Sequence, residues 1–285
     1  MRSGRTWECT PIAELLTWDE YAQGWAALHG GYDPRRGAPL ARVWLRAWYG
    51  VARVAGRLRV PPLAVTVLGL LLSVGVPLVA GVNPFAAAGL VLLAAGADTV
   101  DGAVALLTGR TSRLGAVYDS VADRLAEACW AVAIWRLGVP GWLVVAVGGL
   151  CWLHEYVRAR AAAAGIADVG ALTVGERPTR VIMVVTGLVL SGAGGLVVPE
   201  LRSGTGTAVA ALWGVLSLLG VGQLITAMAE GVLGPAARAA AGRPDGPARA
   251  ARPRPDTVTR PDPALQGQTG SVRPRIANGR SSPGK

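Results

Sequence analysis

Lysine is almost missing. The only one, Lys285, ends the chain, so nearly all of the 28 basic residues are arginine. They outnumber 18 acidic residues and leave a net charge of +10. A basic balance can serve nucleic acid, but these arginines flank apolar stretches. That placement points to anionic lipid headgroups, and no nucleic-acid partner is expected. Cysteine is scarce too. Cys9, Cys129 and Cys151 lack metal-like spacing, and the last two fall inside apolar stretches, where cysteine acts as a small hydrophobe. No disulfide framework is expected. The first fifty residues lack a charged-then-apolar leader, so no secretory signal is expected. Internal repeats are not visible either.

Apolar runs, by contrast, abound. Hydrophobic residues make up 52% of the chain, too much for one ordinary soluble domain. Six runs, at about 60–81, 84–107, 115–137, 140–160, 180–199 and 207–232, are each near the ~20 residues that cross a bilayer. The expected fold is all-α: an integral membrane bundle of six transmembrane helices. Residues 1–59 read as a cytosolic lead-in with a juxtamembrane helix, 60–233 as the transmembrane domain and 234–285 as a basic, disordered tail.

Within the lead-in, Thr17-Trp-Asp-Glu20 has the form of a helix start, and His29 reads as a surface residue. Arg42, Arg46, Arg53 and Arg57 share one helical face. Trp44, Trp48, Val51, Ala55 and Leu58 lie opposite, the pattern of an interfacial amphipathic helix. Arginine is concentrated in this helix, in the 108–114 turn, in the 161–180 connection and in the tail. By the positive-inside rule these share the cytoplasmic side of the plasma membrane, along with both termini.

One run carries the chemistry: Asp98-Thr-Val-Asp101-Gly102-Ala-Val-Ala105, a short bridge, then Gly115-Ala-Val-Tyr-Asp119-Ser-Val-Ala-Asp123. On helices, Asp98 and Asp101 share a face at i, i+3, and Asp119 and Asp123 at i, i+4. A turn at Thr108–Ser112 would aim all four at one point. Unpaired acids near lipid are costly and repel one another; a divalent cation resolves both problems. With no Cys or His in the cluster, hard oxygen ligands suit Mg²⁺ or Mn²⁺ rather than zinc. Gly102 and Gly115 leave room beside the acids for a ligand or a helix backbone.

The spacing D-x2-D-G-x2-A-x9-G-x3-D-x3-D resembles the signature of the CDP-alcohol phosphatidyltransferase family. Both Gly, all four Asp and Ala105 match; the family's Arg after the Ala is Leu106 here. The resemblance implies transfer of a phosphatidyl group from a CDP-alcohol such as CDP-diacylglycerol to an alcohol, releasing CMP in phospholipid biosynthesis. It implies metal ligation by Asp98, Asp101, Asp119 and Asp123, with Asp123 also the base for the attacking hydroxyl. Donor contacts fall to Thr66, Asp98, Asp101, Gly102, Ala105 and Gly115. Arg110 and Arg113 are candidates to replace the missing Arg, and Leu106→Arg is expected to add a phosphate contact. A homodimer is also implied.

Arg158, Arg177 and Arg180 cluster near the fourth and fifth runs. Guanidinium groups there suit a phosphorylated polyol acceptor, or they snorkel to headgroups. His154 and Glu155 stand out inside an apolar run and have either a structural or a catalytic role. Two other readings of the chain stay open. One is a family member that binds CDP-lipid without turnover. The other is a cation transporter that uses the Asp cluster.

Overall fold

The computed structural model describes residues 15–28, 31, 33–165 and 173–240, as backbone alone from 230 onward. Cys9, His29, the outer lead-in and the tail from 241 lie outside the described residues. Contacts divide the chain after Ala237, and the bundle and its site belong to the first unit. Among the described residues all regular structure is helical: α1 Trp18–Leu28, α2 Pro39–Arg57, α3 Pro62–Ala80, α4 Pro84–Leu107, α5 Arg113–Arg136, α6 Gly141–Ala163, α7 Arg177–Val197 and α8 Leu201–Ala240.

The helix starts follow local chemistry. Proline opens α2, α3 and α4 and stands second in α7, where its fixed φ favours the helix and no N–H is missed. Asn83 and Ser112 cap α4 and α5 by accepting the amides of Ala86 and Gly115, each at 3.0 Å. At α1 the expected start is a capping box: the Thr17 amide donates to Glu20 at 2.7 Å, and the Glu20 amide donates back at 3.4 Å. These Thr17 donors hold the Glu20 carboxyl below its ordinary pKa.

Among the described residues, four helices are long and apolar enough to cross a membrane: Pro62–Ala80, Pro84–Leu107, Arg177–Val197 and Leu201–Ala229. Helices α5 and α6, of 24 and 23 residues, have the length but carry ionisable residues in their interiors. Several of these turn inward; Glu127 is 7% exposed and His154 1%. On α3, Leu63, Val67, Leu71, Val74 and Leu78 leave an exposed apolar stripe, a surface suited to lipid rather than water.

The main core joins α3, α4, α5 and α7 around Trp130, Val76, Val91, Val184 and Leu188. A second cluster pins the lead-in to α4 through Tyr21, Tyr49, Val100 and Val104. Helix α2 carries three stripes rather than two. Leu45, Tyr49, Ala52 and Gly56 are buried; Leu40, Val43, Val51 and Val54, with Leu58 just past the helix end, are exposed and apolar; the arginines lie between. Trp44 and Trp48, expected to face lipid, turn to α4 instead. The Trp44 indole donates to Thr99 Oγ1 at 3.0 Å, and Trp48 fills the space that a side chain at Gly96 would need.

Candidate active site

Helices α4 and α5 meet through a short turn whose geometry is fixed locally. Gly109 adopts φ 64°, the Arg110 amide donates to Ala105 O at 2.8 Å, and Ser112 restarts the chain as a cap. This glycine-ended helix stop folds α5 back on α4. It brings Asp98, Asp119 and Asp123 together, each with a carboxylate oxygen within 4.8 Å of the others'. Asp101 stands apart from that trio. It is 5% exposed and accepts the Thr66 hydroxyl at 2.6 Å. All four aspartates still line one cavity of about 10 Å³, room for about one water or ion.

The donor set fits a hard divalent cation. Every ligand atom is a carboxylate oxygen, and Asp119 Oδ1 is buried with no hydrogen-bond partner among the described residues. Gly102 is exposed, and a side chain there would enter open space, so no neighbouring helix backbone approaches this glycine. A Cβ on Gly115 would meet the capping Ser112 Oγ at 2.9 Å. Arg110 and Arg113 are exposed on the turn, and Ala105 is half-buried beside it.

Leu106 has a different setting from the one the resemblance implies. It packs with the cluster around Tyr21 and Val104, where a side chain on Gly24 of α1 would lie 3.1 Å from it. The position anchors the lead-in helix. Leu106→Arg should therefore cost about 1–3 kcal/mol by forcing bulk and charge into a packed contact. Thermal unfolding in detergent measures this; unchanged stability with tighter donor binding would restore the phosphate-contact reading.

The arginines also differ from one another. Arg177, the first residue of α7, reaches into the trio: it pairs with Asp98 at 3.2 Å and with Asp123. Arg124 is 3.8 Å from Asp123 and 3.0 Å from Glu127. Arg180 is 1% exposed and fully engaged. It donates to Gly175 O at 3.0 Å, Glu127 at 2.9 Å, Glu155 at 2.8 Å and His154 Nδ1 at 3.3 Å. Because Nδ1 accepts, Nε2 carries the proton and donates to Thr173 Oγ1 at 2.8 Å. Thr173 Oγ1 donates in turn to Glu176 at 3.4 Å, which also pairs with Arg158. Sequence reasoning does not single out Glu127 or Arg124. The available signal is the extension of the Asp119, Asp123 spacing by one more helical turn to Glu127.

This network holds residues 173–176, the segment that leads into Arg177. Helix α8 supports it from behind. A Cβ on Gly220 would lie 2.6 Å from the Gly175 amide nitrogen, a backbone atom with no room to move. Gly220→Ala should lower stability by about 1–3 kcal/mol and reduce turnover. A variant as stable and active as wild type would mean that the segment is not held there.

Known proteins are similar to this chain. A model of the CDP-alcohol phosphatidyltransferase family matches residues 59–225. The phosphatidylinositol phosphate synthase of Mycobacteroides abscessus is 40% identical over 108 residues, 35% of this chain and 47% of that protein. The archaetidylinositol phosphate synthase of Aeropyrum pernix is 35% identical over 112 residues, 39% of this chain and 56% of that one. The chain thus spans about half the length of these two relatives. With the phosphatidylinositol phosphate synthase of Corynebacterium glutamicum it is 33% identical over 160 residues, 50% of this chain and 69% of that protein.

Solved structures agree. The Mycobacterium tuberculosis phosphatidylinositol phosphate synthase in complex with manganese and citrate superposes with a TM-score of 0.50. It is 27% identical, over 63% of this chain and 89% of that one. The same enzyme with CDP-DAG bound gives 0.51 at 26% identity, over 63% and 94%. The family match encloses the four aspartates, the turn that gathers them and the arginines of α6 and α7, and it makes this chain a member of the CDP-alcohol phosphatidyltransferase family.

Proposed function

We propose that this chain moves a substituted phosphate group from a CDP-alcohol, such as CDP-diacylglycerol, to the hydroxyl of a phosphorylated polyol and releases CMP. The observation that carries this reading is the carboxylate trio of Asp98, Asp119 and Asp123 with a guanidinium beside it. Acids alone would suit a metal store. Acids with arginines around them suit two anionic substrates held together. The names of the relatives, and the CDP-DAG in the neighbouring structure, support the same assignment.

The acceptor oxygen forms a bond to the phosphorus that carries the lipid alcohol. The bond from that phosphorus to the CMP oxygen breaks. The hydroxyl proton passes to Asp123. Mg²⁺ or Mn²⁺ held by Asp98, Asp119 and Asp123 would neutralise the pyrophosphate charge. Asp101, oriented by Thr66, completes the acidic wall. Gly102, Ala105 and Gly115 line the donor side, with Arg110 and Arg113 at its mouth. Arg177 and Arg158 face the acceptor, while Arg180 holds the helices that present them.

In this reading α3 to α8 all cross the plasma membrane and α2 lies at its cytoplasmic face. Both termini and the site are cytoplasmic, the basic tail expected from 234 starts only after α8 ends at Ala240, and the enzyme works as a homodimer. The test is purified protein with radiolabelled CDP-diacylglycerol, Mn²⁺ or Mg²⁺, and a panel of phosphorylated and free polyols, scored for CMP. No CMP with any acceptor would overturn the transferase reading. Turnover with free inositol alone would overturn the phosphorylated acceptor.

A further inference from the structure

The cation that touches two members of the acidic trio at once belongs to the protein itself. Arg177 Nη2 lies 3.2 Å from Asp98 Oδ1, and Nη1 pairs with Asp123 Oδ1. Two of the three carboxylates in the trio are thus engaged by one guanidinium. Asp119 is not, and its Oδ1 has no partner among the described residues. A divalent cation at the trio would compete with this guanidinium for the carboxylates' lone pairs, and at a few ångströms in a partly buried site the two cations repel.

We propose that Arg177 is a built-in competitor of the divalent cation, released from Asp98 and Asp123 when the metal binds and thereby freed to pair with an anion at the mouth of the site. The inference rests on the metal reading given above. The anchoring of Arg177 argues for a side-chain swing and not a helix movement. Its backbone begins α7, just after a segment tied down on every side. Thr173 is held by His154, Glu176 by Arg158, and Gly175 by both Arg180 and the close approach of Gly220. What remains free to move is the long side chain, whose surface is 20% exposed.

Arg124 does not play this part. It lies 3.8 Å from Asp123 but is tied more closely, at 3.0 Å, to buried Glu127. The consequence is coupling. Metal binding exposes a guanidinium, so metal and a dianion strengthen each other's binding, and by linkage the effect is reciprocal. Binding order then acquires a physical basis: the acceptor's phosphate finds its arginine after the metal is in place.

The experiment uses the full-length protein in detergent. Free Mn²⁺ is titrated by electron paramagnetic resonance with and without sulfate, a dianion that does not precipitate manganese. Arg177→Gln should bind Mn²⁺ about tenfold more tightly than wild type, and Arg177→Lys, which keeps the charge, should stay near wild type. In wild type, sulfate should tighten Mn²⁺ binding severalfold; in Arg177→Gln that effect should vanish. Equal or weaker Mn²⁺ binding by a folded Arg177→Gln would overturn the proposal while leaving the metal site intact. Failure of wild type to bind Mn²⁺ at all would overturn the metal reading as well.

Discussion

Asp119→Asn should abolish turnover without unfolding the protein. The Asp119 carboxylate is half-buried, and its Oδ1 has no hydrogen-bond partner among the described residues. Replacing it with an isosteric amide removes a charge but breaks no contact that holds the helices together. The loss falls instead on metal ligation. A metal that stabilises transition-state charge supplies several kcal/mol, so activity should drop on the order of 10³-fold. CMP release and Mn²⁺ binding should fall together, while the thermal midpoint stays within a few degrees. Asp98→Asn should lose activity similarly, but it also removes a partner of Arg177, which makes it the less clean experiment. Retained Mn²⁺ binding and turnover in Asp119→Asn would remove this residue from the ligand set.

The second large effect concerns Arg180, and it falls on stability. Its guanidinium is buried and satisfies Glu127, Glu155 and the Gly175 carbonyl. Arg180→Met takes the shared partner from buried Glu127 and from half-buried Glu155. Breaking such a network should cost about 3–5 kcal/mol, seen as a lowered unfolding midpoint in detergent. Glu127 keeps Arg124 at 3.0 Å but loses its buried partner, so removing its charge as well should restore part of the loss: Arg180→Met with Glu127→Leu should be more stable than Arg180→Met alone. The pairing of these variants separates two roles. If Arg180→Met is as stable as wild type and only the acceptor KM rises, Arg180 is a substrate contact, as its place in the sequence suggests. If stability falls and the double variant recovers, it is the internal post on which α5, α6 and the start of α7 are hung.

Legibility follows the range of the physics. The all-helical class and the membrane setting can be read directly, because apolar runs of bilayer length report a property of each segment alone. The turn between α4 and α5 is equally local: Thr108-Gly109 ends one helix and Ser112 starts the next. The aspartate spacing is legible because helical periodicity converts i, i+3 and i, i+4 into shared faces before any packing is known.

Partner choice is not local. Nothing in the order of residues says that Asp101 bonds Thr66, 35 positions away, while Asp98 joins Asp119 and Asp123. Three arginines with the same chemistry and neighbouring positions look like one set. The packing of α5, α6 and α7 splits them: Arg177 enters the acidic trio, Arg158 goes to Glu176, and Arg180 is buried against Glu127. Trp44, Trp48 and Leu106 show the same division. Their apolar character tells that they are covered, but whether lipid, substrate or another helix covers them depends on where α1 and α2 dock on α4. Sequence by itself determined which helices form and which faces carry charge, because those depend on neighbours within a turn or two. Tertiary structure alone decided which charge meets which, because a guanidinium is satisfied by the nearest carboxylate in space, and that distance is set by helix packing.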